Sequence, residues 1–208
     1  MCPPASAHAV VTEELVSAEP RMNEVGLTLG DFQVVQFWER PLMRQLAEFA
    51  GRAIGRQILE IGYGTGMCSE YIQSKAPSEH VIVEANRHIA RRAQAWAATH
   101  SATIRVVQDS WQSAIPALGR FDSVVFDAAP LVDTPHGHYE EFLPFARALT
   151  RVGGCFTYIS LEARLTQHHL ALLSSFARIE VAIVKGLRPS KHCTYWSGAA
   201  MSLPCVTV

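Results

Sequence analysis

Charged residues are few in this chain: Asp, Glu, Lys and Arg make up 18% of its 208 residues, and the formal net charge is −1. No Lys/Arg run extends beyond the pair Arg91-Arg92. Polyanions bind through many cationic contacts, so nucleic acid is not an expected partner. Long apolar runs are also missing. None approaches the roughly 20 residues that span a bilayer, so no membrane role is expected. The first thirty residues lack a basic start followed by an apolar stretch, so no secretory leader is expected. The five cysteines, Cys2, Cys68, Cys155, Cys193 and Cys205, form no CxxC pair and are odd in number. Neither a disulfide framework nor a thiolate zinc site is expected, and the reducing cytoplasm is the expected compartment. His168-His169 has no histidine partner one helical turn away, so no metal site is expected there either. Internal repeats and low-complexity segments are absent.

What is present is the pattern of one folded α/β domain. Hydrophobic residues make up 49% of the chain, and the length suits a single core. Residues 1 to 30 mix Pro, Ala, Ser and Glu without a period and are expected to be a mobile arm or lid. Residues 31 to 208 are expected to be the domain. Leu42, Met43, Leu46, Ala47, Phe49 and Ala50 recur at helical spacing after Pro41, which suits a first turn. Strands and helices then alternate: strands over 57–61, 80–84, 104–108, 121–127 and 155–160, with helices over 67–75, 87–100, 139–150 and 162–175. Strands near 179–184 and 194–201 close the chain. The short loop between these last two leaves no room for a crossover helix, so they form an antiparallel pair. The expected fold is a Rossmann-like, doubly wound seven-stranded sheet, otherwise parallel and covered on both faces. The composition admits a homodimer without requiring one.

The chemistry concentrates where strands end. Ile58-Leu59-Glu60-Ile61 runs into Gly62-Tyr63-Gly64-Thr65-Gly66 and then into a helix. Glycines permit a sharp turn and close approach of a ligand. Glu84 ends the next strand, where an acid accepts hydrogen bonds from ribose hydroxyls. Turn and acid together leave NAD and S-adenosylmethionine open. Two details favour the latter. Met67 stands where the dinucleotide pattern has its third glycine or alanine. Glu60 repels a pyrophosphate but suits a ligand with an ammonium and a sulfonium. Asp109-Ser110-Trp111 follows the third strand and is suited to an adenine, although Trp111 reads equally well as a packing anchor.

These residues resemble the guanidinoacetate N-methyltransferases and their relatives, which include arginine methyltransferases. Four segments carry the resemblance: Phe37-Trp38-Glu39-Arg40-Pro41-Leu42-Met43, Leu59 to Gly64, Val83-Glu84-Ala85-Asn86, and Phe126-Asp127-Ala128-Ala129-Pro130-Leu131. The end of the chain, from Cys193-Thr194-Tyr195 to Pro204, is also similar. The resemblance implies a class I methyltransferase using S-adenosylmethionine and yielding S-adenosylhomocysteine. It implies cofactor contacts at Val35, Met43, Tyr63 to Cys68 (with Thr65, Gly66 and Met67 between), Glu84, Ala85, Asn86, Ser110, Trp111 and Asp127. It also implies substrate contacts at Trp38, Glu39 and Asp127, and backbone contacts to a substrate carboxylate around Leu161 and Glu162. Two positions depart from the family pattern. Glu162 replaces a small hydroxyl residue and Ala129 replaces a tyrosine, which makes guanidinoacetate itself a poor expectation.

Asp127 and Glu39 are accordingly expected to clamp the acceptor, with Asp127 orienting its nitrogen and taking its proton. Each also has an ordinary alternative, a turn cap for Asp127 and a solvent-facing helix-start acid for Glu39. His136 and His138 are expected near the substrate. The expected reaction is N-methylation of a small guanidino, amine or ring-nitrogen substrate. Alternatives are a protein arginine substrate, a nicotinamide-dependent oxidoreductase, and a non-catalytic cofactor-binding protein.

Overall fold

A computed structural model of the chain describes residues 13–100, 103–129 and 139–208. A short helix α1 (Glu13–Ser17) leads into a small antiparallel sheet of β1 (Pro20–Met22), β2 (Gly26–Leu29) and β3 (Phe32–Gln36). The boundary expected at Asp31 falls in the turn between β2 and β3, so strand pairing runs across it.

A 3-10 turn over Phe37–Glu39 then delivers the chain to α2 (Arg40–Ala50). Pro41 occupies its first turn, where a missing N–H costs nothing. The apolar residues predicted to share one face of this helix are all buried.

The main sheet consists of β4 (Gln57–Ile61), β5 (Glu79–Glu84), β6 (Ile104–Gln108), β7 (Phe121–Phe126), β8 (Thr150–Tyr158), β9 (Arg178–Lys185) and β10 (Ala200–Thr207), in the order β6-β5-β4-β7-β8-β10-β9. The first five are mutually parallel, and β10 runs antiparallel to both its neighbours. This is the expected seven-stranded, mainly parallel sheet with an antiparallel closing pair. The connections are α3 (Met67–Gln73), α4 (Arg87–Ala97), α5 (Trp111–Ala114), α6 (Tyr139–Leu149) and α7 (Gln167–Leu173).

Strand alternation divides the core in two. Ile58 and Ile82 pack with α2, α3 and α4 through Leu46, Phe49 and Ile89. Leu59, Val81 and Val124 pack on the opposite face with Phe142, Phe156 and Leu173. The chain builds outward from β4 to β6 and then returns to place β7 beside β4. The sheet therefore changes direction between β4 and β7, and a crevice opens at their carboxyl ends.

Three boundaries differ most from the sequence reading, the first being β8, which starts at Thr150 instead of residue 155 and ends at Tyr158 instead of residue 160. The helix expected over 162–175 is only α7. Thr166, whose backbone is extended, caps the helix by accepting from His169 N, so the helix starts only at Gln167. The last strand begins at Ala200 instead of Thr194, and residues 186–199 form a loop that reaches back to β3. There Gln33 Nε2 donates to His192 O at 2.7 Å, and Thr194 N donates to Gln33 Oε1 at 3.0 Å. Those contacts hold Tyr195 off the sheet.

Candidate active site

The glycine turn sits at the end of β4 because its backbone requires glycine. Gly62, Gly64 and Gly66 have φ of 94°, 52° and 84°. A Cβ on Gly62 would lie 2.5 Å from Asp127 O, so only glycine lets the turn pass beneath the end of β7. Asp127 N in turn donates to Ile61 O at 2.9 Å, and Gly62 N donates to Val83 O at 2.8 Å. Three strand ends, those of β4, β5 and β7, are thus stitched together at one point.

Above that point lies a cavity. Its wall includes Val35, Met43, Gly62, Tyr63, Gly64, Thr65, Met67, Cys68, Glu84, Ala85, Asn86, Asp109, Ser110, Trp111, Glu39, Asp127 and Leu161, all singled out from the sequence. Glu84 is buried at the tip of β5. Its Oε2 accepts from Tyr63 N at 2.9 Å and its Oε1 from Asn86 N at 2.8 Å. Burial raises its pKa, opposed by these N–H donors. Asn86 caps α4 by accepting from His88 N and Ile89 N, while its amide donates to Leu15 O and Ala18 O. Trp111 is both a wall of the cavity and a packing anchor. Its ring meets Phe142 edge-on at 5.3 Å and Phe126 at 6.1 Å.

Glu39 reaches the cavity from the 3-10 turn and is only 7% exposed. Its Oε1 accepts from Gln36 N at 2.6 Å and from the Tyr195 hydroxyl. Burial pushes its pKa up to about 7, against the lowering effect of those two donors. Asp127, facing the same cavity, is held well above the usual carboxylate range by burial, with the charges of Glu39 and Glu60 adding to the effect. Two carboxylates beside one cavity, both resisting ionisation, form an electrostatic deficit that a bound cation relieves.

Four expected residues are not on the wall. Glu60 is fully buried beneath the turn. Alternation along β4 turns it toward α3, where its Oε2 accepts from Ser69 Oγ at 2.6 Å and lies 2.9 Å from His80 Nε2. Gly66 shapes the turn from behind; a Cβ there would meet the Tyr63 ring. Trp38 stacks on Tyr195 at 6.1 Å instead of facing the cavity. Glu162 turns away from it, accepting from Thr166 N at 3.0 Å. His136 and His138 lie outside the described residues.

The structure also adds residues that the sequence reading left out. Leu29, Phe32, Gln33 and Val34 of the small sheet line the cavity, as do Tyr139, Ile159 and Tyr195. Tyr195 carried a signal, standing in a segment already noted as similar to the family. Leu29 falls in residues 1–30, whose aperiodic composition carried none.

Comparison with known proteins places this architecture. The family model described as guanidinoacetate N-methyltransferase matches residues 16–166. Protein arginine N-methyltransferase 2 of Aspergillus oryzae is 30% identical over 114 residues, covering 54% of this chain and 27% of that protein. Its counterpart from Yarrowia lipolytica is 28% identical over 128 residues, covering 59% and 26%. The chain thus spans about a quarter of the length of these relatives. Among solved structures, the O-methyltransferase TomG of Streptomyces achromogenes, in complex with SAM, superposes with a TM-score of 0.57 at 18% identity, covering 81% of this chain and 79% of that one. Spermidine synthase of Thermotoga maritima superposes with a TM-score of 0.59 at 13% identity, covering 91% and 72%. At such identities the structures speak for the fold. The family match spans most of the chain, and the chain belongs to the guanidinoacetate N-methyltransferase family of S-adenosylmethionine-dependent methyltransferases.

Proposed function

We propose that this cavity binds S-adenosylmethionine and that the chain transfers its methyl group to the nitrogen of a small guanidino, amine or ring-nitrogen substrate. The observation that carries this reading is the meeting of Glu39 and Asp127 on the wall that also holds the glycine turn. The lining suits the cofactor. Glu84, at a strand tip and already gathering backbone N–H groups, offers its carboxylate to ribose hydroxyls. Val83, Ile89 and Trp111 give an apolar slot for an adenine, and Asp109 stands at its edge. Glu60, sealed under the turn, acts on the ligand only through its charge.

S-adenosylmethionine supplies, when bound, an electrophilic methyl on a sulfonium. The chain's part is to bring a nitrogen lone pair into line with that methyl. Glu39 and Asp127 accept N–H bonds from the acceptor and fix its orientation. Asp127 would take the proton that the acceptor nitrogen gives up on methylation. The raised pKa of Asp127 makes it a fitting base.

The protein-arginine alternative draws on the names of the curated relatives. The strands β2 and β3 weigh for a small acceptor, because Leu29, Phe32, Gln33, Val34 and Val35 close one side of the cavity that a peptide would need open. Side-by-side assays of small guanidines and arginine peptides separate the two. The central test is Asp127→Asn. Calorimetry is expected to give S-adenosylhomocysteine affinity within about threefold of wild type, while turnover falls by roughly 10²-fold or more. Lost cofactor binding, or turnover near wild type, would sink this assignment.

A further inference from the structure

Beside the clamp lies a buried polar cluster that the proposed chemistry does not use. Tyr139 opens α6, Tyr158 ends β8 and His169 stands on α7. Tyr158 and His169 are fully buried and Tyr139 nearly so. Their rings form one stack, with Tyr139 on His169 at 4.5 Å and on Tyr158 at 4.8 Å. Of the three, only Tyr139 lines the cavity. Strand register fixes its place there. Tyr158 pairs with Phe126, the residue before Asp127. Tyr139 therefore stands at the β7–β8 end with the clamp, and not at the β5–β6 end with Glu84 and Asp109.

A neutral imidazole has one N–H and one lone pair, and His169 is neutral because burial lowers its pKa. Its Nδ1 lies 3.3 Å from Glu162 Oε2 and 3.2 Å from the Tyr139 hydroxyl. Its Nε2 lies 2.6 Å from the Tyr158 hydroxyl. Glu162 Oε2 already accepts from Thr166 N at 3.0 Å, as a carboxylate oxygen does. A lone pair on Nδ1 would face that oxygen. The Tyr158 hydroxyl, receiving Nε2–H, would then hold a buried proton with no acceptor among the described residues. The other tautomer removes both faults. Nδ1–H is shared by Glu162 and the Tyr139 oxygen, and Tyr158 donates to Nε2. The Tyr139 hydroxyl then accepts from His169, and its own proton has no acceptor among the described residues. Burial raises the pKa of Tyr139, so the phenol keeps that proton at neutral pH.

Resting on the reading that this cavity holds the methyl acceptor, we propose that Tyr139 donates its phenolic proton to a carbonyl oxygen of the acceptor, and that His169 is the positioning residue that holds the hydroxyl as a donor. Glu39 and Asp127 accept N–H bonds from the nitrogen end of the molecule. Tyr139 is the complementary donor that reads its other end. The acceptor class narrows to guanidines, amines or ring nitrogens whose body also carries a carbonyl oxygen.

Two measurements test this. The tautomer is read from the imidazole nitrogen NMR shifts of the full chain, with the His169 signals identified by their loss in His169→Asn. Nδ1 is expected in the range of a protonated ring nitrogen and Nε2 in that of a lone-pair nitrogen. The reverse pattern, or a doubly protonated ring, overturns the proposal whatever the cavity binds. The second measurement is calorimetric titration of the full chain saturated with S-adenosylhomocysteine, using shape-matched pairs: guanidinoacetamide against isobutylguanidine, β-alaninamide against 3-methylbutylamine, and imidazol-4-ylacetamide against 4-isobutylimidazole. Tyr139→Phe is expected to weaken the carbonyl member of each pair that binds by roughly five- to tenfold, and the hydrocarbon member by less than about twofold. Equal effects on both members overturn the donor role, as does failure of all three carbonyl compounds to bind the wild type. His169→Asn, which returns an N–H donor near the place of Nδ1, is expected to keep most of the discrimination within a pair, and His169→Leu to abolish it. Loss of discrimination in folded His169→Asn, or its survival in His169→Leu, overturns the role of His169. Failure of S-adenosylhomocysteine itself to bind is a separate result, and it overturns the cofactor reading on which this one rests.

Discussion

At the scale of single residues, protons decide the behaviour of the cavity. Glu39 has a folded-state pKa of about 7 against an ordinary 4.5. Between those values the folded state holds more protons than the unfolded one. By linkage, stability must therefore fall as pH rises through this window and level off above it. Asp127 acts in the same direction. The melting temperature of the ligand-free protein, followed from pH 5 to 8, is expected to decline, and the decline should be shallower in Glu39→Gln. Tyr195 supplies a second check. Its hydroxyl donates to Glu39 and lowers the carboxylate's pKa. Tyr195→Phe is expected to shift the acidic limb of the kcat/KM profile to higher pH and to weaken acceptor binding, with S-adenosylhomocysteine affinity unchanged. A purely structural role for Tyr195 would leave that limb in place. Which acids matter was legible for Glu39 and Asp127, because both stand in motifs that resemble the family's. The partnership with Tyr195 was not, since the two residues are far apart in the chain and meet only in space.

At the scale of elements, the α/β alternation was readable because each strand and helix carries its own period. The exceptions are instructive. The helix expected from Glu162 was shortened by the cap at Thr166, whose extended backbone lets the helix start only at Gln167. The last strand began later than expected, because residues near Thr194 bond to Gln33 of β3 instead of to a neighbouring strand. Residues 20–36 illustrate the converse: β1 and β2 lie in the stretch to residue 30 that showed no period, yet they form a three-stranded sheet with β3. Leu27, Leu29 and Val35 of these strands are buried in the core cluster that includes α2 and α3, and the preceding α1 has its own tether. Asn86 both caps α4 and binds the carbonyls of Leu15 and Ala18 at the end of α1. Asn86→Ala is expected to destabilise the fold by about 1–2 kcal/mol, the range for a lost helix cap. Hydrogen exchange should report faster opening over residues 13–22 and the first turn of α4, with β7 and β8 unaffected.

At the scale of the whole molecule, the β4–β7 reversal creates the crevice, and a buried polar knot supports it from below. Glu60 on β4, Ser69 on α3 and His80 on β5 are all fully buried and hydrogen-bonded together, with Gln73 of α3 at 2.9 Å from His80 Nδ1. The knot ties two neighbouring strands to the helix that follows the glycine turn. His80→Leu removes one partner and leaves the buried Glu60 carboxylate with Ser69 and the Cys68 thiol beside it. The expected loss is roughly 1–3 kcal/mol, measured by chemical denaturation, as for a buried acceptor deprived of a hydrogen-bond partner. Glu60→Gln in the same background should recover part of it. If His80→Leu unfolds at the wild-type midpoint, the knot contributes nothing to holding the layers together.

Much about this protein was determined by the sequence alone: the doubly wound sheet, the antiparallel closing pair, the glycine turn and the strand-end acids. All of these follow from local periodicity, from backbone conformations that only glycine adopts readily, and from motifs that are contiguous in the chain. The tertiary structure alone decided which way individual side chains point. Glu60 precedes the turn in sequence, yet alternation along β4 sends it beneath the cavity, and Glu162 follows a rim residue yet turns toward Thr166 and His169. Side-chain direction depends on what packs across from a residue, and the partners of Glu39, Glu60 and Glu162 are set by the folding of distant or neighbouring elements onto them. The acidity of the cavity belongs to that second category, because it arises only where carboxylates from separate strand ends and turns share one wall.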